Sequence, residues 1–313
     1  MNLVFCGTPR FAVPTLEKLV EAGHAVPLVI TQPDRPRGRG MEVTFSPVKD
    51  AAQRLNLAIF QPAQIKNNQE FRERLFELRP DAIIVVGYGR IIPQWMIDLP
   101  RYGNLNLHGS LLPKYRGAAP IQWAIASGEQ VTGVTTMRID AGLDTGDILL
   151  QREMAIASDA TAVTLGAALA TIGSDLMVET LRGLEKGQIQ PIAQDHARAS
   201  MAPILKKEDG RIDLNRTALE VYNRLRGFQP WPGAYTSFRG KHLQIQRALP
   251  GERGAGVGVA PGEVLAVGSI LQVGCGGGTV LNVIELQPEG KRPMSAADFA
   301  NGYRPKTGEK LGQ

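Results

Sequence analysis

Two stretches of this 313-residue chain carry polar side chains at spacings that suit acid–base chemistry. In the first, residues 104–108 alternate as Asn-Leu-Asn-Leu-His, so a β-strand would place Asn104, Asn106 and His108 on one face. The Gly-Ser that follows ends the strand and leaves His108 at its carboxyl end. Asn106 and His108 either build a site there or satisfy nearby backbone groups, and the spacing leaves both interpretations open.

The second stretch is a short acidic loop in RIDAGLDTGDILLQ, where Asp140, Asp144 and Asp147 alternate with glycines. A carboxylate beside a histidine can orient the ring, raise its basicity or handle a proton. Calcium or magnesium is the first alternative for an Asp-rich loop. The spacing does not fit the twelve-residue calcium loop, and no further acidic cluster supplies ligands, so we expect no metal site.

The available side chains argue against covalent catalysis. A G-x-S-x-G motif is missing, and neither Cys6 nor Cys275 has a metal-binding spacing or a nearby base, so we expect two structural thiols. An amide, an imidazole and a carboxylate suit acyl transfer between two bound molecules. In such a reaction Asn and His donate to the developing oxyanion, and Asp takes or relays the proton that the nucleophile loses.

Alternating strand and helix patterns through the first half predict an α/β fold with a doubly wound, mostly parallel, Rossmann-like sheet. Ser46 and Pro47 mark one helix start, and a long helical pattern at 160–187 closes the domain. Sheets of this kind build their sites at the carboxyl ends of strands. The turn after the first strand reads GTPRFA, which lacks the G-x-G-x-x-G pattern of dinucleotide-binding proteins.

The second half changes character. Residues 189–208 lose periodicity and are interpreted as a linker, and a short helix pattern, TALEVYNRLRGF, follows. Five short β-type runs between Gly-rich turns then predict a small all-β barrel of the oligonucleotide-binding (OB-like) type. The expected domains are 1–188, with a basic loop inserted at 33–49, and 209–313.

Charge is distributed unevenly along the chain. The net charge is +5; residues 201–313 carry 15 Lys and Arg against 10 Asp and Glu, whereas residues 1–200 carry 20 of each. The excess indicates either a second domain that meets an anionic partner or a solvated basic surface. No basic segment precedes the first apolar run, and no stretch approaches the roughly 20 uncharged apolar residues that a membrane span requires. We therefore expect a cytoplasmic protein.

The motifs NLHGSLLPKYRGAAPIQ and GLDTGDIL resemble those of folate-dependent formyltransferases. The resemblance implies 10-formyltetrahydrofolate as formyl donor and Asn106, His108 and Asp144 as the catalytic set. It also implies folate contacts, largely through the backbone, in three loops. The residues of these loops are Ser110, Leu111, Leu112 and Pro113; Gly87, Tyr88, Gly89, Arg90, Ile91 and Ile92; and Asp140, Ala141, Gly142 and Leu143.

Within that family, the chain is most similar to the members whose acceptor is methionyl initiator tRNA. The inserted basic loop, the junction RGFQPWPGAYT and the basic barrel carry this resemblance. It implies an enzyme that formylates the α-amine of the methionine for translation initiation, and nothing in the sequence demands more than a monomer. Arg35, Arg37, Arg39 and Lys49 would contact tRNA phosphates. Two alternatives stay open: a formyltransferase for a sugar-nucleotide amine, and a non-catalytic RNA-binding protein.

Overall fold

The computed structural model describes residues 1–37, 42–251 and 259–313, with backbone only at 35–37 and 42–44. The chain divides into two units. Unit 1 comprises Met1–Pro120, Val131–Ala155 and Gly166–Pro203, and unit 2 comprises Ile121–Gln130, Ile156–Leu165 and Ile204–Gln313. The domain limits expected from the sequence stay a prediction.

Unit 1 is built on a seven-stranded sheet with a separate two-stranded hairpin. Its strands are β1 (Asn2–Gly7), β2 (Ala25–Ile30), β3 (Arg35–Arg37), β4 (Glu42–Thr44), β5 (Ile59–Phe60), β6 (Ala82–Val86), β7 (Asn104–His108), β8 (Val131–Arg138) and β9 (Ile148–Ala155). The sheet order is β5-β2-β1-β6-β7-β8-β9, and β3 pairs only with β4. All pairs up to β7 are parallel, whereas β8 and β9 are antiparallel to their neighbours. The expected doubly wound, mostly parallel sheet is confirmed.

Helices follow or separate these strands along the chain. They are α1 (Val13–Glu21), α2 (Pro47–Arg54), α3 (Gln69–Leu78), α4 (Gln94–Ile97), α5 (Pro120–Ala126) and α6 (Ala162–Glu185), of which α5 from Ile121 onward and the first turn of α6 belong to unit 2. Helix α2 begins as predicted, because the Ser46 hydroxyl accepts a hydrogen bond from the Lys49 N–H at 3.0 Å and Pro47 occupies the first turn. Strand β9 and the single-turn helix α4 were not predicted.

Helix α6 is, among the described residues, the one helix long and apolar enough to pass a length-and-composition test for a membrane span. Half of its most apolar 18-residue window is buried inside the protein. Core helices of globular proteins pass the same test, and the buried positions here include Leu169, Met177 and Leu181.

Beyond Ile121–Gln130 and Ile156–Leu165, the part of unit 2 that the structure describes combines an antiparallel sheet with two α-helices. Its elements are α7 (Ala218–Gly227), β10 (Ala234–Phe238), β11 (Lys241–Pro250), β12 (Val264–Val267), β13 (Leu271–Cys275), β14 (Thr279–Pro288), β15 (Met294–Ser295) and α8 (Ala296–Tyr303). The sheet order is β10-β11-β14-β13-β12, with β15 beside β14. All five predicted strands are present, and α7 begins at a capping box of Thr217 and Glu220. Helix α8, capped by Ser295, was not predicted.

Residues 309–313 close this sheet into a barrel. On one side the Val264 N–H donates to the Glu309 carbonyl and the Leu311 N–H to the Gly262 carbonyl, both at 2.8 Å. On the other side the Gly312 N–H donates to the Ser237 carbonyl, also at 2.8 Å. The segment thus joins the two edge strands, β10 and β12, around a core that contains Leu286 and Phe299.

Candidate active site

His108 lies at the carboxyl end of β7, between β6 and β8 in the sheet. Its ring is buried, and Nε2 lies 2.9 Å from the carbonyl oxygen of Tyr115. Because a carbonyl only accepts hydrogen bonds, Nε2 carries a proton in this arrangement. The other ring nitrogen, Nδ1, lies 3.6 Å from Oδ2 of Asp144 and is the ring nitrogen that faces the acidic loop.

Asp144 comes from the loop between β8 and β9 and adopts a left-handed backbone conformation with φ +52°. Asp tolerates this region better than most residues, although the conformation is still uncommon. The carboxylate oxygen Oδ2 also accepts a hydrogen bond of 2.8 Å from the Gly117 N–H. One oxygen therefore faces both His108 and a backbone donor, and the side chain is 19% exposed.

Asn106 and Asn104 share one face of β7 but have different surroundings. Asn104 is buried, and its Nδ2 donates to the carbonyls of Met96 at 2.7 Å and Ile97 at 3.2 Å. Asn104 thus satisfies backbone groups. Asn106 is only half-buried, and within the part of the chain that the structure describes its amide has no hydrogen-bond partner. Its donor is thus available to a bound molecule.

The structure brings the polar residues picked out from both stretches together. Asn106 and His108 share a face of β7, and Asp144 approaches the ring of His108 from the acidic loop. An amide donor, an imidazole and a carboxylate form a set that suits acyl transfer. In the described residues, no three His, Cys, Asp or Glu side chains gather as a metal site would need.

The loop after β6 carries the first set of expected folate contacts. Gly87 and Gly89 have φ values of +56° and +74°, conformations that favour glycine. The Tyr88 carbonyl accepts a 3.0 Å hydrogen bond from Gln32, and Arg90 Nη1 donates to the Ala63 carbonyl at 2.7 Å. The loop is therefore held to its neighbours while the side chain of Ile91 is 91% exposed.

Two further loops carry the remaining expected contacts. The Ser110 hydroxyl donates to the Lys114 carbonyl at 2.6 Å, so this side chain is already engaged. The Asp140 carboxylate accepts from the Gly142 N–H at 3.0 Å and from the Thr145 hydroxyl at 2.8 Å. Because both side chains satisfy their own loops, folate contacts there would have to come mainly from the backbone and from apolar groups such as Leu143.

The inserted basic loop is described in part. Arg35 and Arg37 lie in β3, and Arg39 lies outside the described residues. Lys49 forms an ion pair with Asp34, and its ammonium lies 4.0 Å from the centroid of the Phe45 ring. Two hydrogen bonds lower the pKa of the Asp34 carboxyl: the larger effect comes from Lys49 and the smaller one from Gln61. A phosphate at Lys49 would therefore share its ammonium with Asp34.

Two residues that bind the acidic loop or its neighbours were not identified from the sequence. Arg116 and Gln194 are both buried and bound to each other, and Gln194 also binds the backbone of the acidic loop. Arg116 stands in a motif quoted for the family resemblance, without a role of its own. Gln194 lies in the aperiodic segment interpreted as a linker, where no pattern marked it.

Comparison with known proteins identifies the fold and the family. The formyl transferase pattern matches residues 1–181, and the pattern of the formyl transferase C-terminal domain matches residues 204–304. The chain belongs to the formyl transferase family. The implied family resemblance is thereby confirmed.

Relatives in this family are similar over the whole chain. The chain is 63% identical to a methionyl-tRNA formyltransferase of Koribacter versatilis, covering 100% of this chain and 99% of the relative. It is 61% identical to one of Acidobacterium capsulatum (96% of each chain) and 55% identical to one of Solibacter usitatus (100% and 99%).

Solved structures with lower sequence identity share the fold. An N-formyltransferase from Helicobacter canadensis, in complex with folinic acid and dTDP-3-aminofucose, has a TM-score of 0.69 at 18% identity, covering 92% of this chain and 99% of that one. HypX from Aquifex aeolicus, in complex with tetrahydrofolic acid, has a TM-score of 0.64 at 20% identity, covering 99% of this chain and 48% of that one.

Proposed function

We propose that this protein transfers the formyl group of 10-formyltetrahydrofolate to the free α-amino group of methionyl initiator tRNA, giving N-formylmethionyl-tRNA for translation initiation. The observation that carries the proposal is the arrangement at the end of β7. There, the Asp144 carboxylate lies 3.6 Å from His108 Nδ1, and Asn106, on the same face of β7 as His108, has an amide without a partner among the described residues. The identity of 63% to a methionyl-tRNA formyltransferase over the full chain supports the choice of acceptor.

The reaction forms a bond between the amine nitrogen and the formyl carbon, and breaks the bond between that carbon and N10 of the folate. Asn106 donates its amide N–H to the oxygen that becomes negative in the tetrahedral intermediate. His108 helps to stabilise the same oxyanion through Nδ1, because Nε2 is bound to the Tyr115 carbonyl. Its ring therefore has one nitrogen for the reacting groups and one for its own orientation.

Proton transfer is assigned to Asp144. The attacking amine must lose a proton, and the leaving nitrogen of tetrahydrofolate must gain one. Asp144 accepts the first proton directly, through His108 Nδ1 or through a water, and returns one to the leaving group. The Gly117 N–H, 2.8 Å from Oδ2, holds the carboxylate in place during both steps.

The folate site is assigned to the three loops around this strand end: residues 87–92, 110–113 and 140–143. Two solved structures with the same fold hold folinic acid or tetrahydrofolic acid, which supports a folate derivative as donor. The half-exposed Leu143 and the exposed Ile91 offer apolar contact to the pterin.

The acceptor tRNA is assigned to the basic surfaces. Residues 201–313 carry the entire excess of positive charge, and the inserted loop contributes Arg35, Arg37, Arg39 and Lys49. Phosphate contacts of this kind position the RNA without reading its sequence. We expect Arg39→Ala to raise the KM for tRNA and to leave folate binding unchanged. Unchanged kinetics at varied tRNA concentration would remove Arg39 from the interface.

Location and assembly complete the proposal. We infer a cytoplasmic monomer, since the charge pattern and the matched family both suit a soluble enzyme of translation. Sedimentation of the purified protein at several concentrations tests the oligomeric state, and fractionation of cells tests the location.

The decisive experiment measures formyl transfer from 10-formyltetrahydrofolate to three acceptors: methionyl initiator tRNA, methionyl elongator tRNA and dTDP-3-aminofucose. We expect rapid transfer to the initiator tRNA alone. Preference for the amino sugar would instead assign the protein to the sugar-nucleotide branch. Folate binding without transfer to any acceptor would indicate a binding protein, and calorimetry with a folate distinguishes that result from an unfolded preparation.

A further inference from the structure

Behind the acidic loop of unit 1, a buried amide and a buried guanidinium form one connected network. We propose that Gln194 and Arg116 are positioning residues that hold Asp144 in the geometry required for formyl transfer. This inference rests on the proposed function, because it assigns Asp144 a part in the reaction.

Gln194 ties the acidic loop from below. Its Nε2 donates to the Asp144 carbonyl at 2.9 Å and to the Gly146 carbonyl at 2.7 Å. Its Oε1 accepts from Arg116 Nη2 at 2.6 Å and Nε at 3.1 Å. Both amide hydrogens and the amide oxygen are used, so only one orientation of the side chain satisfies every partner.

Arg116 in turn holds Gln194. Its guanidinium is buried, and Nη1 lies 3.1 Å from His196 Nδ1, which must accept because arginine only donates. The Arg116 backbone is fixed as well: its N–H donates to the Ser200 carbonyl at 2.8 Å, and its carbonyl accepts from the Ala202 N–H at 2.7 Å. The network is therefore anchored at both ends in unit 1.

Asp144 is the residue in this loop that needs such support. A non-glycine residue at φ +52° is held in a sparsely populated region, which persists only when its surroundings determine it. The Gln194 hydrogen bond to the Asp144 carbonyl opposes relaxation of the backbone. Loss of that bond would let the loop rotate and would move Oδ2 away from His108 Nδ1.

The neighbours of Arg116 link the two groups proposed for catalysis. The Tyr115 carbonyl binds His108 Nε2 at 2.9 Å, and the Gly117 N–H binds the Asp144 carboxylate at 2.8 Å. Residues 115–117 therefore contact the imidazole, the carboxylate and, through Gln194, the backbone behind the carboxylate. A shift of about 1 Å in such a set can lower a rate about 100-fold.

The test compares Gln194→Leu with Asn104→Leu. Both wild-type amides are buried and donate to two main-chain carbonyls of unit 1, but Asn104 serves α4 and takes no part in the site. We expect similar losses of Tm in the two variants. Only Gln194→Leu should lower kcat, by about 10- to 100-fold at saturating substrates, with a smaller change in the KM for tRNA.

Gln194→Glu separates positioning from stability. Glutamate keeps an acceptor for Arg116 but has no N–H to give to the Asp144 and Gly146 carbonyls. We expect its Tm to lie nearer to wild type than that of Gln194→Leu, with kcat lowered to a similar extent. A kcat that follows Tm across the three variants would mean that Gln194 is a structural residue and would overturn the proposal.

A double-mutant cycle completes the test. If Gln194 acts through Asp144, then Gln194→Leu should lower kcat by less than about twofold in an Asp144→Ala background. Fully multiplicative effects, or a kcat of Gln194→Leu within about twofold of wild type, would also overturn it. Failure of the proposed function gives a different result, because the wild-type protein would then fail to formylate methionyl-tRNA.

Discussion

Among the residues whose side chains the structure describes, each unit contains one buried arginine bound to a side-chain amide, and the two pairs differ in the further groups that they bind. In unit 1, Arg116 donates to Gln194 Oε1; in unit 2, Arg226 donates to Asn223 Oδ1 through Nε at 3.0 Å and Nη2 at 2.9 Å. Arg116 is 6% and Arg226 is 5% exposed.

The two pairs form different hydrogen bonds with the rest of their units. The Gln194 amide continues to the backbone of Asp144, whereas Arg226 Nη1 donates to the Ala160 carbonyl at 2.9 Å and the Ala157 carbonyl at 3.3 Å, closing a turn. A buried arginine–amide pair thus supports the acidic loop in unit 1 and a turn in unit 2. The role of each pair therefore follows from the groups that it binds beyond the pair itself.

The largest loss of kcat is expected in unit 1, at the side chains proposed for catalysis. We expect His108→Ala and Asp144→Ala to lower kcat by about 10²–10⁴-fold with little loss of fold, because each removes a group that contacts the reacting atoms in the proposed mechanism. Formylation kinetics and circular dichroism check the two parts of this expectation. Turnover near wild type in either variant would remove that residue from the catalytic set.

The second effect concerns the paired arginines. Arg116→Met and Arg226→Met each leave buried acceptors without a donor, so both should destabilise the protein by about 1–3 kcal/mol. We expect only Arg116→Met to lower kcat, by about 10- to 100-fold.

Denaturant unfolding and saturating kinetics on the same preparations measure the two quantities. Equal losses of kcat in both variants would erase the functional difference between the pairs.

A matched pair of glycines tests the comparison at the backbone. A Cβ at Gly117, which has φ +120°, would lie 2.6 Å from the Ala202 carbonyl oxygen, and a Cβ at Gly227 would lie 2.8 Å from the Gln122 carbonyl oxygen. We expect Gly117→Ala and Gly227→Ala each to cost about 1–3 kcal/mol of stability.

Only Gly117→Ala should also lower kcat, by about 10-fold, because the Gly117 N–H holds the Asp144 carboxylate. Steady-state assays below the melting transition of both variants give this comparison. A slower Gly227→Ala enzyme with an unimpaired Gly117→Ala enzyme would reverse it.

The smallest effect is expected at the two thiols, one in each unit. Burial raises the pKa of Cys6, and burial raises the pKa of Cys275 to about 12 from an ordinary 9.0. Because each thiol has a higher pKa in the folded chain than in the unfolded chain, its contribution to stability is fully present below about pH 9. That contribution is lost as the pH rises toward the pKa of the folded state. We expect neither thiol to react with a thiol reagent in the native protein between pH 7 and 9.

Mass spectrometry of labelled peptides in increasing denaturant then reports each unit separately, Cys6 for unit 1 and Cys275 for unit 2. Rapid labelling of either thiol without denaturant would contradict the expected burial.

Much of the fold could be predicted from local patterns. The alternation at residues 104–108 gave β7 and placed His108 at its end, and Ser46 with Pro47 gave the start of α2. Strand β9 was missed because its sequence, ILLQREMA, directly follows the acidic loop and its exposed half resembles a continuation of that loop. Helix α4 is a single turn, which leaves no room for helical periodicity.

The candidate site divides in the same way. The three groups proposed for catalysis could be named from the sequence because their residue types suit the chemistry and their flanking motifs resemble a family. Gln194 could not be found, since its role depends on contacts about 50 residues away along the chain with Asp144 and Gly146. Likewise, Asn104 and Asn106 look equivalent in the sequence, and only packing shows that Asn104 serves α4.

The short segment that closes the barrel of unit 2 also bears on how the protein behaves at high concentration. Exposed sheet edges present unpaired N–H and C=O groups and recruit strands from other molecules. Residues 309–313 occupy the edges at β10 and β12 at once. Deleting residues 309–313 would therefore expose two edge strands at once. The expected consequence is aggregation during expression and storage rather than slower catalysis.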